Sequence, residues 1–208
     1  MALKDYSDLN ELQLDVLREI GNIGSGNAAT SLSEMLAHPI GIQVPKIHIL
    51  EYNQVVDALG GPEMMIVGIL LTLSGDVNGM IMFLLQQDFA HVALSSLLGM
   101  DVEGFDSIDE MGMSAIQEIG NIMAASYVNA ISDLTGMSID ISVPSPCIDM
   151  AGSILSVPAI HYANISDKVI YIEDEFGHED SGNAASHILM IPDVESLQKI
   201  MTNLGMDL

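Results

Sequence analysis

The five residues Glu19-Ile20-Gly21-Asn22-Ile23 recur unchanged as Glu118-Ile119-Gly120-Asn121-Ile122, 99 residues further along the chain. The same offset relates the residues that follow each copy: Ile40, Ile42, Val44 and Pro45 match Ile139, Ile141, Val143 and Pro144. Because this match runs without a gap, we predict two copies of one structural unit, at about residues 10–105 and 109–206. No linker rich in Pro, Gly or Ser separates the copies. We therefore expect two pseudo-symmetric halves of a single domain over residues 1–208.

Each copy begins with the pattern of an amphipathic helix. In the first copy, apolar residues recur at steps of three and four, namely Leu9, Leu12, Val16, Ile20 and Ile23. Asp8 or Asn10 is suited to cap the start of this helix, and the second copy predicts a helix from about Ile108. Gly21 and Gly120 lie inside these helices, where glycine costs about 1 kcal/mol relative to alanine. We expect close packing of the helices against the sheet or against each other at these glycines.

Short apolar runs after each predicted helix indicate strands. They occupy residues 40–44, 64–73 and 80–85 in the first half, and 139–143, 168–172 and 187–191 in the second. Short amphipathic helices are predicted at 88–99 and 193–205, and an exposed loop at the acidic stretch 173–180 and the polar triplet after it. The predicted fold class is α/β, more narrowly α+β. It is an internally duplicated, pseudo-two-fold fold with two long motif-bearing helices packed on a largely antiparallel sheet.

The composition excludes several classes of protein. Apolar residues make up 49% of the 208 residues and charged residues 16%, as expected of a globular chain. Five basic residues against 29 acidic ones give a formal charge of −24, which argues against binding nucleic acid or an anionic membrane surface. The longest apolar run, at 64–71, is too short to span a membrane, and no export signal is visible. A single cysteine fits a reducing compartment, so we expect a cytoplasmic protein without membrane insertion.

The two repeated helices each carry one polar stripe that could bind a partner. At about 100° per residue, two triads share such a face: Asp15, Glu19 and Asn22 in the first helix, and Ser114, Glu118 and Asn121 in the second. Gly26 and Ala125 lie one turn further on, and because they are small, no side chain protrudes there to block a partner. A solvated surface explains one copy viewed alone. Asparagine is a mediocre helix former, however, so its recurrence at the same place favours a functional role.

These triads resemble a known duplicated motif. Each is followed by a proline after 22 intervening residues, giving Asp15-x3-Glu19-x2-Asn22 with Pro45, and Ser114-x3-Glu118-x2-Asn121 with Pro144. This pattern is similar to that of the CheC family, which with its relatives CheX and FliY dephosphorylates the chemotaxis response regulator CheY. The similarity covers nearly the whole chain. Its length is like that of CheC, since FliY carries an additional C-terminal switch domain.

The resemblance implies a phosphatase acting on phosphorylated CheY (CheY-P). Phosphoryl transfer depends mainly on positioning and charge stabilisation, and a neutral carboxamide can orient a water without repelling the phosphoryl group. We therefore expect Asn22 and Asn121 to orient the attacking water. A carboxylate would be repelled by the phosphoryl oxygens, so Glu19 and Glu118 are expected to pair with a partner cation, which the resemblance implies is the regulator's active-site lysine. The remaining members of the two triads, Asp15 and Ser114, are expected to support the motif or contact the partner.

The resemblance also bears on cofactors and partners. We expect no metal site and no cofactor in this chain, because the magnesium would arrive with the phosphorylated partner. The receptor deamidase CheD is a second expected partner. The alternative function is a non-catalytic adaptor that binds CheY-P or CheD, and a flagellar-switch component like FliY is a third interpretation.

Two other patterns in the sequence have simpler explanations. Residues 24–29 fit the loose dinucleotide pattern G-x-G-x-x-A, but that fingerprint follows a strand, whereas here it follows an amphipathic helix. Cys147 could be considered as a phosphatase nucleophile. No arginine lies near it in the sequence to bind phosphate, and its neighbours Ile148 and Met150 predict a thiol in the core.

Overall fold

The structure is a computed structural model that describes residues 5–37, 39–99, 102–162, 166–178 and 182–206. The described residues form six α-helices: α1 (Glu11–Leu36), α2 (Tyr52–Ala58), α3 (Gln87–Leu98), α4 (Glu110–Thr135), α5 (Ala151–His161) and α6 (Val194–Asn203). They also form eight strands: β1 (Gly41–Ile42), β2 (Lys46–Glu51), β3 (Met65–Gly75), β4 (Gly79–Leu85), β5 (Ile139–Ile141), β6 (Ser145–Met150), β7 (Lys168–His178) and β8 (Gly182–Pro192). Two short 3-10 turns precede α1 and α4, at Tyr6–Asp8 and Phe105–Ser107.

The order of elements in the first half recurs in the second. From α1 to α3 the chain runs helix, two strands, helix, two strands, helix, and from α4 to α6 it runs the same way. The long helices α1 and α4 have 26 residues each, and their start positions differ by 99. The predicted α+β class, with two long helices on an antiparallel sheet, is confirmed. The exact division into halves at residues 10–105 and 109–206 stays a prediction.

The eight strands form one antiparallel sheet in which the edge strands of each half pair with a strand of the other half. The order across the sheet is β1 and β2 beside β7, then β8, β4 and β3, and finally β5 and β6 beside β3. The edge strand β2 of the first half therefore pairs with β7 of the second, with Ile47 opposite Ile172. In the same way β6 pairs with β3, with Cys147 opposite Gly68. Because each half completes the edge of the other, their apolar faces form one continuous core.

Helices cover both faces of the sheet. The close approach of Gly120 in α4 to Ile69 of β3 places α4 on one face. The neighbouring Gly68 approaches Ile154 of α5, which places α5 on the other face, because successive strand residues point to opposite sides. The helices α1 and α4 pack against each other on the first face, and α2 packs against α5.

The local sequence accounts for the ends of α1 and α4. Asn10 caps α1, where its side chain accepts a hydrogen bond from the backbone N–H of Gln13 at 3.0 Å. Asp109 caps α4 by accepting from the N–H of Gly112 at 2.9 Å. Between Asp8 and Asn10, the two predicted caps, the structure selects Asn10, since Asp8 lies in the preceding 3-10 turn. Gly136 ends α4 in the left-handed conformation that glycine favours.

The predicted close packing at the two motif glycines is confirmed. A Cβ atom added to Gly21 would lie 2.5 Å from the Cδ1 atom of Ile47 in β2. One added to Gly120 would lie 2.6 Å from the Cγ2 atom of Ile69 in β3. Both contacts are shorter than side-chain carbons tolerate, so glycine lets each helix approach the sheet at the point where the repeated motif lies.

The structure corrects one predicted element and adds others. Residues 173–178 were predicted as part of an exposed acidic loop, but they belong to β7, in which Asp174 is fully buried and opposite Ser186 of β8. The carboxylate of Asp174 is buried because hydroxyl groups from two helices satisfy it, as described below. Residues 179–181 of that predicted loop lie outside the described residues. The predicted hairpin is confirmed as β3 and β4, whereas β2, β6, α2 and α5 were not predicted, and the strand predicted at 40–44 is reduced to β1.

Candidate functional site

The first polar stripe lies on the solvent side of α1. Asp15, Glu19 and Asn22 are all exposed, as their spacing predicts. The stripe faces outward because the opposite side of the helix is buried against the sheet and α4; the buried residues there include Leu17, Ile20, Gly21 and Gly24. The three polar side chains are therefore held on one face by the packing of the other.

The second stripe lies in the same way on α4, with one difference in exposure. Ser114 and Glu118 are exposed, whereas Asn121 is half-buried. The buried side of α4 includes Ile116, Ile119, Gly120 and Met123. Asn121 is thus more enclosed than Asn22, although the two belong to identical sequence segments.

The structure does not bring the two triads together into one site. Gly21, between Glu19 and Asn22, contacts β2 at one edge of the sheet. Gly120, between Glu118 and Asn121, contacts β3, and three strands (β7, β8 and β4) separate β2 from β3. Each stripe is therefore a separate surface, and each can meet a partner molecule on its own.

An ion pair lies within the first stripe. The Nη1 atom of Arg18 donates to the Oδ1 atom of Asp15, and the two side chains are 45% and 63% exposed. The offset of 99 residues places Ser114 and Gln117 at these positions in the second copy. Both stripes therefore have the same formal charge, but only the first carries a cation.

An open groove continues the first stripe toward the end of α1. It has a volume of about 630 Å³ and is lined by Gly26, Ala29, Thr30, Ser33, Glu34, Ala37, Pro39 and Ile40. Gly26 lies one turn beyond Asn22, and a Cβ atom added to it would meet no described heavy atom within 4 Å outside its own helical backbone. No side chain protrudes from this part of the surface at Gly26, as the sequence predicts, and this leaves room for a partner beside Asn22.

A buried polar cluster beneath the helices was not predicted from the sequence. The hydroxyl of Ser25 donates to Oδ1 and Oδ2 of Asp174 at 2.8 and 2.9 Å, and the hydroxyl of Tyr127 donates to Oδ2 at 2.7 Å. The two hydroxyl groups also contact each other. The cluster joins α1, α4 and β7, and Ser25 lies only three residues after Asn22. Its one signal in the sequence is that Ser25 and Tyr127 place hydroxyl groups on the inward faces of their helices.

Burial dominates the ionisation of this cluster. It raises the pKa of the Asp174 carboxyl to about 6, although the hydrogen bonds from Tyr127 and Ser25 lower it. The pKa of the Tyr127 hydroxyl is raised well above its usual value by burial and by the neighbouring Asp174 carboxylate. Asp174 is the group that can change its charge near neutral pH, and it lies in the core away from solvent.

The two alternative patterns have structural explanations. The G-x-G-x-x-A segment lies in the middle of α1, and Gly24 leaves room for the ring of Tyr127, whose Cδ1 atom would lie 2.6 Å from an added Cβ atom. This is a packing role, not a nucleotide loop. The prediction that Cys147 is a core thiol is wrong. It is exposed on the edge strand β6, where partial desolvation and then the nearby Asp149 carboxylate raise the pKa of its thiol.

The described residues also bear on metal binding and membrane insertion. Within the described residues, no group of three or more His, Cys, Asp and Glu side chains lies close enough together to hold a metal ion. Of the helices in the part of the chain that the structure describes, none has the length and apolar character needed to cross a membrane.

Comparisons with known proteins place the chain in a family. The sequence model of the CheC-like family matches residues 12–49 and 111–145, the two segments that contain the triads and their prolines. The chain is 31% identical over 207 residues to the Bacillus subtilis (strain 168) protein named CheY-P phosphatase CheC, an alignment that covers 98% of this chain and 99% of that relative. It is also 31% identical over 143 residues to the flagellar motor switch phosphatase FliY of the same organism, covering 68% of this chain and 37% of FliY.

A solved structure has the same fold. The crystal structure of Thermotoga maritima FliY superposes with a TM-score of 0.75, covering 95% of this chain and 98% of that one at 24% sequence identity. That likeness establishes the fold, and the full-length similarity to the Bacillus protein establishes the family. The chain belongs to the CheC-like family, as its repeated motif indicated.

Proposed function

We propose that this chain is a phosphatase that hydrolyses the aspartyl phosphate of a CheY-type response regulator. One observation carries the proposal: the same Glu and Asn pair lies on the solvent-facing stripe of two helices of equal length, in the two segments that match the family model. The relatives named CheY-P phosphatase CheC and flagellar motor switch phosphatase FliY support the choice of reaction and substrate.

In this proposal, Asn22 and Asn121 orient the attacking water. An aspartyl phosphate is an activated acyl phosphate, so hydrolysis requires mainly that one water be held in line with the bond that breaks. The side-chain oxygen of an asparagine can accept a hydrogen bond from that water, and the neutral amide does not repel the phosphoryl oxygens. Water attacks phosphorus, the bond from phosphorus to the aspartyl oxygen breaks, and the products are inorganic phosphate and the free carboxylate.

Glu19 and Glu118 act on the partner in this proposal. A carboxylate next to phosphoryl oxygens would be repelled, so each glutamate pairs instead with a lysine of the regulator and fixes its orientation. Asp15 and Ser114 support the stripe or contact the partner. The magnesium ion that stabilises the phosphoryl group belongs to the regulator, and this chain supplies the positioned water.

The shape of the stripes supports a site completed by the partner. The Glu and Asn residues lie on exposed or half-exposed helix surface, so bulk solvent is excluded around the one attacking water only once the regulator is bound. Gly26 and the groove beyond it leave space beside Asn22 for the regulator to approach closely. Binding of CheD and a cytoplasmic location stay predictions from the sequence.

The decisive experiment measures dephosphorylation of CheY-P by Asn22→Ala, Asn121→Ala and the double variant. We expect the double variant to lose at least about a hundredfold in turnover, as is usual when a positioned proton-accepting group is removed. Asn27→Ala is the matched control, because Asn27 is also exposed on α1 but lies about 140° around the helix from Asn22. Full turnover in the double variant would exclude the proposed site.

The same assay separates an enzyme from an adaptor. With CheY-P in large excess, an enzyme releases many molecules of phosphate per molecule of protein. An adaptor would protect or retain CheY-P and release at most a stoichiometric amount. The Asn22→Ala variant should unfold at the same temperature as the native chain, because an exposed side chain contributes little to stability.

A further inference from the structure

Arg18 is a cation placed within the first polar stripe. Of the five Lys and Arg residues in the sequence, it is the one that falls within the two motif-bearing helices. Its guanidinium donates to Asp15 one turn earlier, and both side chains are substantially exposed. In a chain with a formal charge of −24, a cation on this surface changes the local field where an anionic phosphoryl group would approach.

Arg18 lies closer to Asn22 along the helix than Asp15 does. Arg18 and Asn22 are four residues apart, about 6 Å along the helix axis, and side chains at this spacing are neighbours on the helix surface. Asp15 and Asn22 are seven residues apart, about 10 Å along the axis. Arg18 is therefore the cation of this helix nearest to Asn22 in sequence, and in the free protein its guanidinium reaches back to Asp15.

The ion pair with Asp15 is of a kind that exchanges partners readily. Pairs between exposed side chains contribute little to stability, because water screens both charges and both side chains lose freedom in forming them. A phosphoryl group offers the planar guanidinium two oxygens in a matching geometry and more negative charge than a carboxylate. A phosphoryl group can therefore compete with Asp15 for the guanidinium once the regulator is bound.

The second stripe has no counterpart to this cation. Ser114 and Gln117 stand at the positions of Asp15 and Arg18, so a neutral pair replaces the ion pair. The two stripes share their Glu and Asn residues but differ in whether a charged pair precedes them on the helix.

We propose that Arg18 is a substrate-binding residue of the first site. Its guanidinium leaves Asp15 and binds the non-bridging phosphoryl oxygens of the regulator, which holds the phosphorus in front of the water on Asn22. Asp15 keeps the side chain extended along the stripe in the free protein. This inference rests on the proposed function and assigns a specific residue to the binding of its substrate.

The test isolates the first site by working in the Asn121→Ala background. There, Arg18→Gln introduces the residue that the second copy carries, and we expect KM for CheY-P to rise about tenfold with a smaller change in kcat. Arg18→Lys should recover part of the loss, and the effect of Arg18→Gln should shrink as salt is raised. In the Asn22→Ala background, where only the second site remains, Arg18→Gln should change KM less than twofold.

Lys199→Gln is the matched control for charge. Lys199 also forms an exposed ion pair within a helix, with Glu195 at 2.9 Å, but it lies on α6. If Arg18→Gln changes KM no more than Lys199→Gln in the Asn121→Ala background, the inference is overturned. Binding of CheY carrying beryllium trifluoride gives a readout without turnover: with Arg18→Gln, one of the two sites should weaken about tenfold while the other stays unchanged.

The outcomes distinguish this inference from the proposed function. Turnover that survives in the Asn22→Ala, Asn121→Ala double variant would overturn the proposed function, and with it the assignment of Arg18. Loss of turnover in that variant, together with an unchanged KM for Arg18→Gln, would support the proposed function and contradict only the role assigned to Arg18.

Discussion

The two halves of this molecule share their motif Glu and Asn residues on the solvent side and differ in the core between them. Both carry Glu and Asn on a solvent-facing helix stripe, but among the described residues only the second half buries a carboxylate, Asp174, beneath the helices. The strand register places Leu71 at the equivalent position in the first half. Lys46 and Ser145, which are 99 residues apart, lie opposite Glu173 and Leu70, and Asp174 and Leu71 are the next residues after these two partners. Leu71 is also fully buried. A core position can thus change from apolar to charged while the surface motif stays the same.

The helix residues around this position differ in a coordinated way. Ser25 and Tyr127, which hydrogen-bond Asp174, correspond by the 99-residue offset to Ala124 and Ala28. Gly24, which leaves room for the Tyr127 ring, corresponds to Met123. The position of Asp174 combines the tyrosine of α4 with a glycine of α1, and the equivalent position of Leu71 combines the methionine of α4 with an alanine of α1. Cores tolerate such exchanges if volume and hydrogen bonding are both conserved.

The largest expected effect concerns Asp174, and it sharpens this comparison through pH. Its pKa is about 6 in the native state against an ordinary 3.8, so folding favours the protonated carboxyl. Above pH 6 the buried carboxylate therefore lowers the free energy of unfolding by up to about 3 kcal/mol, and this cost disappears as the pH falls from about 6 to about 4. Asp174→Asn keeps a hydrogen-bond acceptor and removes the charge. We expect it to be more stable than the native chain at pH 8 and nearly equal to it at pH 4.

The measurement is urea unfolding of both proteins across this pH range. Asp140→Asn is the control, because Asp140 is an exposed carboxylate on β5 and its loss changes the net charge by the same amount. Both substitutions relieve the general repulsion in an acidic chain, and the difference between them isolates the buried group. Equal pH profiles for the two variants would show that Asp174 does not titrate as the structure indicates.

The second expected effect compares the two motif glycines. In Gly120→Ala the added carbon meets the Cγ2 and Cδ1 atoms of Ile69, at 2.6 and 3.1 Å, in the central strand β3. In Gly21→Ala it meets the Cδ1 end of Ile47 at 2.5 Å, on the edge strand β2, and that end can rotate away. We expect Gly120→Ala to cost about 1–3 kcal/mol and Gly21→Ala less than about 1 kcal/mol. Thermal unfolding checks this, with a larger loss in Tm for Gly120→Ala, and the reverse order would contradict the packing described.

The sequence predicted the helix faces well because each face depends on local spacing. Asp15, Glu19 and Asn22 lie on one exposed stripe as their positions require, and the glycine between them packs on the sheet. The catalytic role of these residues stays a prediction, since exposure and spacing describe where a side chain lies and not what it does. The inequality of Asn22 and Asn121 could not be predicted, because identical local segments differ in exposure only through their surroundings.

The failures of prediction involve partners distant in sequence. The acidic end of β7 resembles a loop locally, but Asp174 follows Ile170 and Ile172 in the alternation of one sheet face and binds Ser25 and Tyr127. Nothing near residue 174 reveals those two hydroxyl groups. In the part of the sheet that the structure describes, the edge strands β2 and β6 pair with the opposite half, so no local hairpin pattern indicates them. The helix α5 contains a proline, so helix propensity does not indicate it.

The smallest expected effect tests whether the low surface beside Asn22 serves a partner or the fold. Gly26→Ala gives the first stripe the residue that the second carries at Ala125, and no described heavy atom outside the helical backbone lies within 4 Å of the added carbon. Alanine favours the helix, so we expect a gain of about 0.5–1 kcal/mol, or about 1–4 °C in Tm. Gly24→Ala is the control two residues earlier, where the added carbon meets the Tyr127 ring at 2.6 Å and should destabilise the protein.

In the Asn121→Ala background, Gly26→Ala should lower turnover less than threefold, since the second stripe carries alanine at this position. A larger loss without any loss of stability would mean that the regulator approaches the first stripe more closely than the second, and the two sites would then differ in docking as well as in charge.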